Sequence, residues 1–175
     1  PMRLRLSSSS LPLHCPLLAA ALLLAAMTLS PFHSAAQIIS PQPIGRRHIY
    51  SETANPRQQI ATALAQARRQ HKRVILDFGG DWCGDCQVID IYCHQSPNAE
   101  LLDKHFILVP IWVGLIDTNL AIPEKYGIAI HKGVPALAVL APSGALLYAQ
   151  KHGELATMSH MSPASVTEFL NKWKN

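Results

Sequence analysis

The chain has 175 residues, 49% of them hydrophobic and 15% charged, with a formal net charge of +4. Its length fits one domain rather than two and is enough to fold without disulfide staples, and its hydrophobicity excludes intrinsic disorder. The positive balance does not point to nucleic acid: Arg3 and Arg5 lie near the N-terminus, all 11 Asp and Glu follow residue 50, and no basic run exceeds the pairs Arg46-Arg47 and Lys72-Arg73.

Residues 1–36 read as a secretory signal peptide. Arg3 and Arg5 form a positive start, and residues 17–29 form an uncharged apolar run of 13 residues. Ser34, Ala35 and Ala36 supply small residues for cleavage before Gln37. The competing reading is an uncleaved membrane anchor, although the run is shorter than the roughly 20 residues a spanning helix needs. Either way the rest of the chain is expected outside the cytoplasm, most simply in the periplasm. Residues 37–54 form an irregular lead, and a domain is expected over 55–175.

A helix is predicted from residue 55 to about 71, capped by Asn55 with Pro56 in its first turn, and with Ile60, Leu64 and Ala67 on one face. Residues 74–78 form a short apolar run broken only by Asp77, and read as a buried strand. Gly79, Gly80 and Asp81 end it, and a helix follows over about 83–94. Ser96-Pro97 introduces a short helix over 98–104. Residues 106–113 form a second buried strand, in which Pro110 demands a bulge or an edge position. A short helix over 119–126 ends at Gly127. Strands over 135–140 and 145–150 join through Pro142, Ser143 and Gly144 as an antiparallel hairpin. A last helix starts at Ser162-Pro163 and turns Val166, Phe169, Leu170 and Trp173 inward. This order predicts an α/β domain, a central mixed β-sheet flanked by helices on both faces.

Between the first strand and the helix after it stands Trp82-Cys83-Gly84-Asp85-Cys86. A sulfur at a helix start sits beside free N–H groups and the positive end of the helix dipole, which favour thiolate over thiol. The spacing places Cys86 within disulfide range of Cys83. Cys83 can then attack a substrate disulfide, and Cys86 can resolve the mixed disulfide. Two other readings compete. A static disulfide would close a loop too short to constrain an unfolded chain much. A zinc site using Cys83, Cys86, Cys93 and His94 would place Cys93 about 10 Å beyond Cys86 along one helix, too far for one tetrahedral ion. The same distance argues against a Cys86–Cys93 bridge and leaves Cys93 as a small core residue.

The segment VILDFGGDWCGDC, residues 74–86, resembles the active-site strand and turn of the thioredoxin superfamily. Lys125-Tyr126-Gly127-Ile128 followed by Gly133-Val134-Pro135 is similar to that superfamily's approach to its cis-proline. The stretch from Asn98 to Phe106 resembles the exported subgroup related to the C-terminal domain of the transmembrane disulfide reductase. The resemblance covers about 55–175 and implies a thioredoxin fold. It implies that Asp77 moves protons to and from the resolving cysteine, where the residues alone allow a merely hydrogen-bonded carboxylate. It also implies a cis Val134-Pro135 bond facing the cysteines. Trp82, Gly84, Asp85, Val134 and Pro135 would then line a substrate groove, with Trp82 either a lid or core packing.

No metal, nucleotide or flavin cofactor is implied. The partners would be protein disulfides and a protein electron donor, such as a membrane disulfide reductase. Asp85 departs from the family's Gly-Pro dipeptide, and its charge should raise the Cys83 pKa and favour reduction over oxidation. Asp81 is expected to act the same way, both carboxylates being exposed. His131 and Lys132, in the loop before the proline, are within reach of a substrate. Rival readings are a disulfide oxidase or isomerase, and a binding or chaperone module on the same fold.

Overall fold

The computed structural model describes residues 45–175, so the leader and residues 37–44 lie outside the described residues. The first helix, α1, spans Pro56–Gln70. The Asn55 side chain accepts from the amides of Arg57 and Gln58 at 3.0 and 3.2 Å, satisfying donors that the first turn leaves free. His71 ends α1 in the left-handed conformation. Strand β1 (Arg73–Gly79) follows, then α2 (Gly84–Cys93), α3 (Asn98–His105), β2 (Phe106–Trp112), α4 (Ala121–Lys125), β3 (Ala136–Leu140), β4 (Leu146–Ala149) and α5 (Pro163–Trp173).

The sheet order is β2-β1-β3-β4, with β1 parallel to β2 and the other pairs antiparallel. β2 is therefore an edge strand, which explains Pro110: an edge position can lack an N–H donor without losing a ladder bond. Alternation along β1 sends Val74, Leu76 and Phe78 to the core beneath α1 and α4, and Ile75 to the core beneath α2, α3 and α5. Both faces are thus covered, and β1 reads as a continuous apolar run because it is central.

Three local expectations change. α4 is shorter than 119–126, because Asn119 adopts a positive φ of 58° and donates its side-chain amide to the Trp112 carbonyl at 2.9 Å. Asn119 belongs to the turn, not the helix. In α5, Val166 and Leu170 are buried, while Phe169 and Trp173 are only part-buried and flank Tyr148 of β4 at ring separations of 5.4 and 5.2 Å. Buried Asn98 ties α3 to α5, donating to the carbonyls of Tyr92 and Pro163 and accepting from Thr167. Finally, residues 45–54 are irregular but not merely a lead: Tyr50 is buried in the core. Among the described residues, no helix is long and apolar enough to cross a membrane.

Candidate active site

Cys83 caps the N-terminus of α2, and its sulfur accepts the amide of Cys86 at 3.1 Å. Its thiol also points at the Val134 carbonyl, 3.4 Å away. The Val134-Pro135 bond is cis, and buried Gln150 holds the segment behind it, donating to the Pro135 carbonyl at 3.1 Å. Cys83 and Cys86 are free thiols and both are buried. The Cys86 thiol donates to the Cys83 sulfur, which lowers the Cys83 pKa more than burial raises it, with the amides of Cys86 and Asp85 adding to the drop. The same contact, then burial, then the Asp77 charge push the Cys86 thiol far up. The pair is therefore split into one thiol with a lowered pKa and one held protonated.

Below the sulfurs lies Asp77, 4% exposed. The Tyr50 hydroxyl donates to its Oδ2 at 2.8 Å, while Oδ1 has no hydrogen-bond partner among the described residues. Burial raises its pKa to about 7, opposed by the Tyr50 hydrogen bond and assisted by the charge of Asp90. Asp90 is 7% exposed and, with Asp77, lines a narrow space of about 20 Å³, room for about one water. The Nε of Arg47 lies 2.9 Å from Asp90 Oδ2, an ion pair without the alignment of a hydrogen bond. Cys93 also lines this space; burial, then Asp77 and Asp90, push its thiol up to about 12.

The rim is built by Trp82, 40% exposed, whose Nε1 donates to the Gly114 carbonyl at 2.7 Å. Its ring passes so close to Gly80 that a side chain there would meet the indole. Leu115, beside that carbonyl, is 74% exposed. Gly84 is exposed and Asp85 part-buried at the start of α2. Trp82, Gly84, Asp85, Val134 and Pro135 are thus placed around Cys83 by one turn, one helix start and one proline loop. His131 and Lys132 are exposed in a short 3-10 turn before Gly133.

Of the two acidic residues, Asp85 acts on Cys83 in the expected direction and Asp81 does not, and both are part-buried rather than exposed. Asp85 does raise the Cys83 pKa through its charge, but the Cys86 thiol and then the Cys86 amide each lower it more. Its carboxylate is part-buried and accepts the Ser159 amide at 2.6 Å. Asp81 is part-buried as well and turned to the lead: it accepts the amides of Ile49 and Tyr50 at 2.8 and 3.0 Å and contacts His48. Burial pulls its pKa up, but those three partners hold it below the usual value. Its negative charge is committed there rather than to the sulfurs.

Four side chains in or behind the site were not singled out from the sequence: Tyr50, Gln87, Asp90 and Gln150. Asp90 carried a usable signal, a carboxylate on the inward face of α2 four residues after Cys86. Tyr50 carried none, standing in a lead without periodicity. Among the described residues, no three His, Cys, Asp or Glu side chains are arranged to hold a metal ion.

The geometry agrees with comparisons to known proteins. A thioredoxin-like family model matches residues 55–142. The crystal structure of a disulphide isomerase from Xylella fastidiosa Temecula1 is 38% identical, with a TM-score of 0.69 over 72% of this chain and 96% of that one. The thiol:disulfide interchange protein DsbD 1 of Pseudomonas aeruginosa is 27% identical over 122 residues, covering 65% of this chain but only 18% of that protein's length. A thioredoxin from Streptomyces clavuligerus is 33% identical over 67 residues, 57% of its length. With its mixed four-stranded sheet, its helix-capping Cys83 and its Cys86 three residues on, the chain belongs to the thioredoxin-like family.

Proposed function

We propose that this protein is an exported thiol–disulfide oxidoreductase that reduces protein disulfides. The observation that carries the reading is the asymmetry of the pair. Cys83 is a helix cap with a lowered pKa, whereas Cys86 is buried beside Asp77 with a raised one. Cys83 attacks a substrate disulfide and forms a mixed disulfide, releasing the first substrate thiolate. Cys86 then gives up its proton toward Asp77 and attacks Cys83, releasing the second. The Val134 carbonyl and the cis-proline segment offer backbone partners to an extended substrate chain. Trp82 and Leu115 offer apolar surface beside it.

Export rests on the composition of the leader, with the periplasm as the destination. The electron donor is then a second protein, for which a membrane disulfide reductase of the cell envelope is the natural class. No cofactor enters the cycle. A disulfide isomerase is the second reading, favoured by the name carried by the Xylella structure, which this chain matches nearly end to end.

The deciding measurement is the reduction potential of the Cys83–Cys86 pair, equilibrated against glutathione. A value near about −270 mV supports a reductant, and a value near about −180 mV supports an isomerase. A value near about −120 mV makes the protein an oxidant. No reversible two-electron couple at all would hand the case to a binding module.

A further inference from the structure

The irregular lead is sewn to the redox turn from two sides. Asp81 accepts the amides of Ile49 and Tyr50 at 2.8 and 3.0 Å. The Gln87 side chain accepts the Arg47 amide at 2.8 Å and donates to the Arg47 carbonyl at 3.0 Å. These four bonds fix the backbone that carries Tyr50, and the ring is 3% exposed. Its hydroxyl donates to Asp77 Oδ2 at 2.8 Å. On the other side lies Cys86. Tyr50 Oη and Cys86 Sγ both crowd the point where a side chain on Gly79 would begin, at 2.6 and 2.7 Å. Gly79 has no side chain, so none of its own stands between the hydroxyl and the sulfur.

We propose that Tyr50 is a catalytic proton carrier of the resolving step, linking the Cys86 thiol to the Asp77 carboxylate through its hydroxyl. The proposal rests on the oxidoreductase reading above. In the mixed disulfide, the Cys86 S–H bond breaks and its proton joins the Tyr50 oxygen, while the Tyr50 O–H proton passes to Asp77. The Cys86 sulfur bonds to the Cys83 sulfur, and the bond from Cys83 to the substrate sulfur breaks with its electron pair, leaving as thiolate. Tyr50 ends as it began, Asp77 gains one proton and the cysteine pair is oxidised by two electrons. Asp77 later gives its proton to solvent or to the departing thiolate.

Two observations favour this route over direct transfer. The Asp77 oxygen that could accept, Oδ2, is already occupied by the Tyr50 hydroxyl. The other oxygen, Oδ1, has no hydrogen-bond partner among the described residues, so the Cys86 thiol makes no hydrogen bond to it. Burial, then the charges of Asp77 and Cys86, raise the Tyr50 pKa, so its hydroxyl stays neutral between transfers. The other titratable groups near the trio are Cys83, Asp90 and Cys93 on α2 and Asp81 at the turn, with Arg47 and His94 beyond Asp90. β3 and α5 face Asp77 with Leu137, Val166 and Leu170, which do not titrate.

The test is rapid mixing of the reduced full chain with dithiodipyridine, Cys15→Ser being present in every variant and in the wild-type reference. The third remaining thiol, Cys93, is buried with its pKa pushed up to about 12, and so lags behind. The first thiopyridone reports attack by Cys83, and the second reports resolution by Cys86. In Tyr50→Phe the second phase should slow by at least about tenfold near neutral pH, toward the roughly 10²-fold lower range of acid–base catalysis. The first phase should stay within about twofold. Tyr50→Phe combined with Asp77→Asn should be no slower than Asp77→Asn alone, because the two act in series. A second phase at the wild-type rate, equal slowing of both phases, or additive losses would each overturn the relay. Should Tyr50→Phe fail to fold, a fluorinated tyrosine at position 50 keeps the packing and makes the hydroxyl more acidic. A changed second-phase pH profile then supports the relay, and an unchanged one overturns it. Wild-type protein with no second phase would instead sink the oxidoreductase reading itself, and the relay with it.

Discussion

The two sulfurs stand three residues apart and live in different media. The mouth of the site around Cys83 is made of backbone: the Cys86 amide, the Val134 carbonyl and the start of α2. The floor below Cys86 is made of buried side chains: Tyr50 and Asp77, which hold protons, and Asp90 beside them. The Cys83 thiolate is stabilised first by the Cys86 thiol and then by backbone amides, which leaves the rim free to meet varied substrates. A side-chain floor needs named residues, because only they can accept and return a proton in a dry interior. Substitutions at the mouth should therefore shift affinity and pKa, and substitutions at the floor should shift the timing of the second step.

The largest effect separates the two sulfurs. Cys83→Ser, in a chain also carrying Cys15→Ser, should abolish the fast release of both thiopyridones from dithiodipyridine, because the remaining thiols, Cys86 and Cys93, are buried with their pKa values pushed up. Cys86→Ser should release the first and stop, leaving a stable mixed disulfide that mass spectrometry detects. If Cys86→Ser also fails the first step, the division of labour is wrong. Next comes Asp77→Asn, which should slow the second phase by roughly 10²-fold at neutral pH while sparing the first. The same residue should leave a mark on stability. Its folded pKa is about 7, well above the usual unfolded value of about 4. Between those values the folded state holds the proton that the unfolded state has lost. Stability should thus be greatest at the acidic end of the window and fall as pH rises, by up to roughly 1.4 kcal/mol per unit from this group. Urea titrations of wild type and Asp77→Asn from pH 4 to 7 should show that slope only in the wild type. A difference that is flat, or rises with pH, refutes the burial argument.

Gly79→Ala attacks the junction of floor and strand. Its new methyl group would stand 2.6 Å from Tyr50 Oη and 2.7 Å from Cys86 Sγ, and neither is the loose end of a flexible chain. Overpacking of this kind costs about 1–3 kcal/mol, readable as a lower urea midpoint. The second thiopyridone phase should slow along with it, since the hydroxyl and the sulfur are pushed apart. An alanine variant of wild-type stability would mean that Tyr50 moves freely, and would weaken the whole picture of a fixed floor.

The elements of the fold were legible because each carried a local signal: Asn55-Pro56 at a helix start, an apolar run at β1, a Pro-Ser-Gly turn between β3 and β4. Pro110 even restricted its strand to an edge or a bulge, and the edge is where it lies. The mouth was legible too, since a Cys-x-x-Cys between strand and helix is a contiguous pattern. The floor was legible only in part. Asp77 stood out as a carboxylate in an apolar strand, but its hydroxyl partner lies 27 residues upstream in a segment with no periodicity. Likewise Asp81 looked like a free charge near the sulfurs. Its true partners are amides of that same lead, and no composition rule pairs a carboxylate with a distant backbone. Long-range polar contacts are set by the tertiary path of the chain, and that path does not show in local spacing.

The smallest effect belongs to Asp85 at the mouth. Its charge raises the Cys83 pKa against the larger lowering by Cys86 and by nearby amides. Asp85→Asn should therefore lower the thiol pKa of Cys83 further, read as thiolate absorbance against pH. Two features keep the change small. The carboxylate is only part-buried, so solvent screens it, and it is already engaged by the Ser159 amide. The asparagine oxygen can still accept that amide, so the loop around Ser159 should hold and the readout should report charge alone. A Cys83 pKa that rises or stays put in Asp85→Asn would mean that the Asp85 side chain acts on the sulfur through position rather than charge. The mouth would then not be the backbone device that its hydrogen bonds describe.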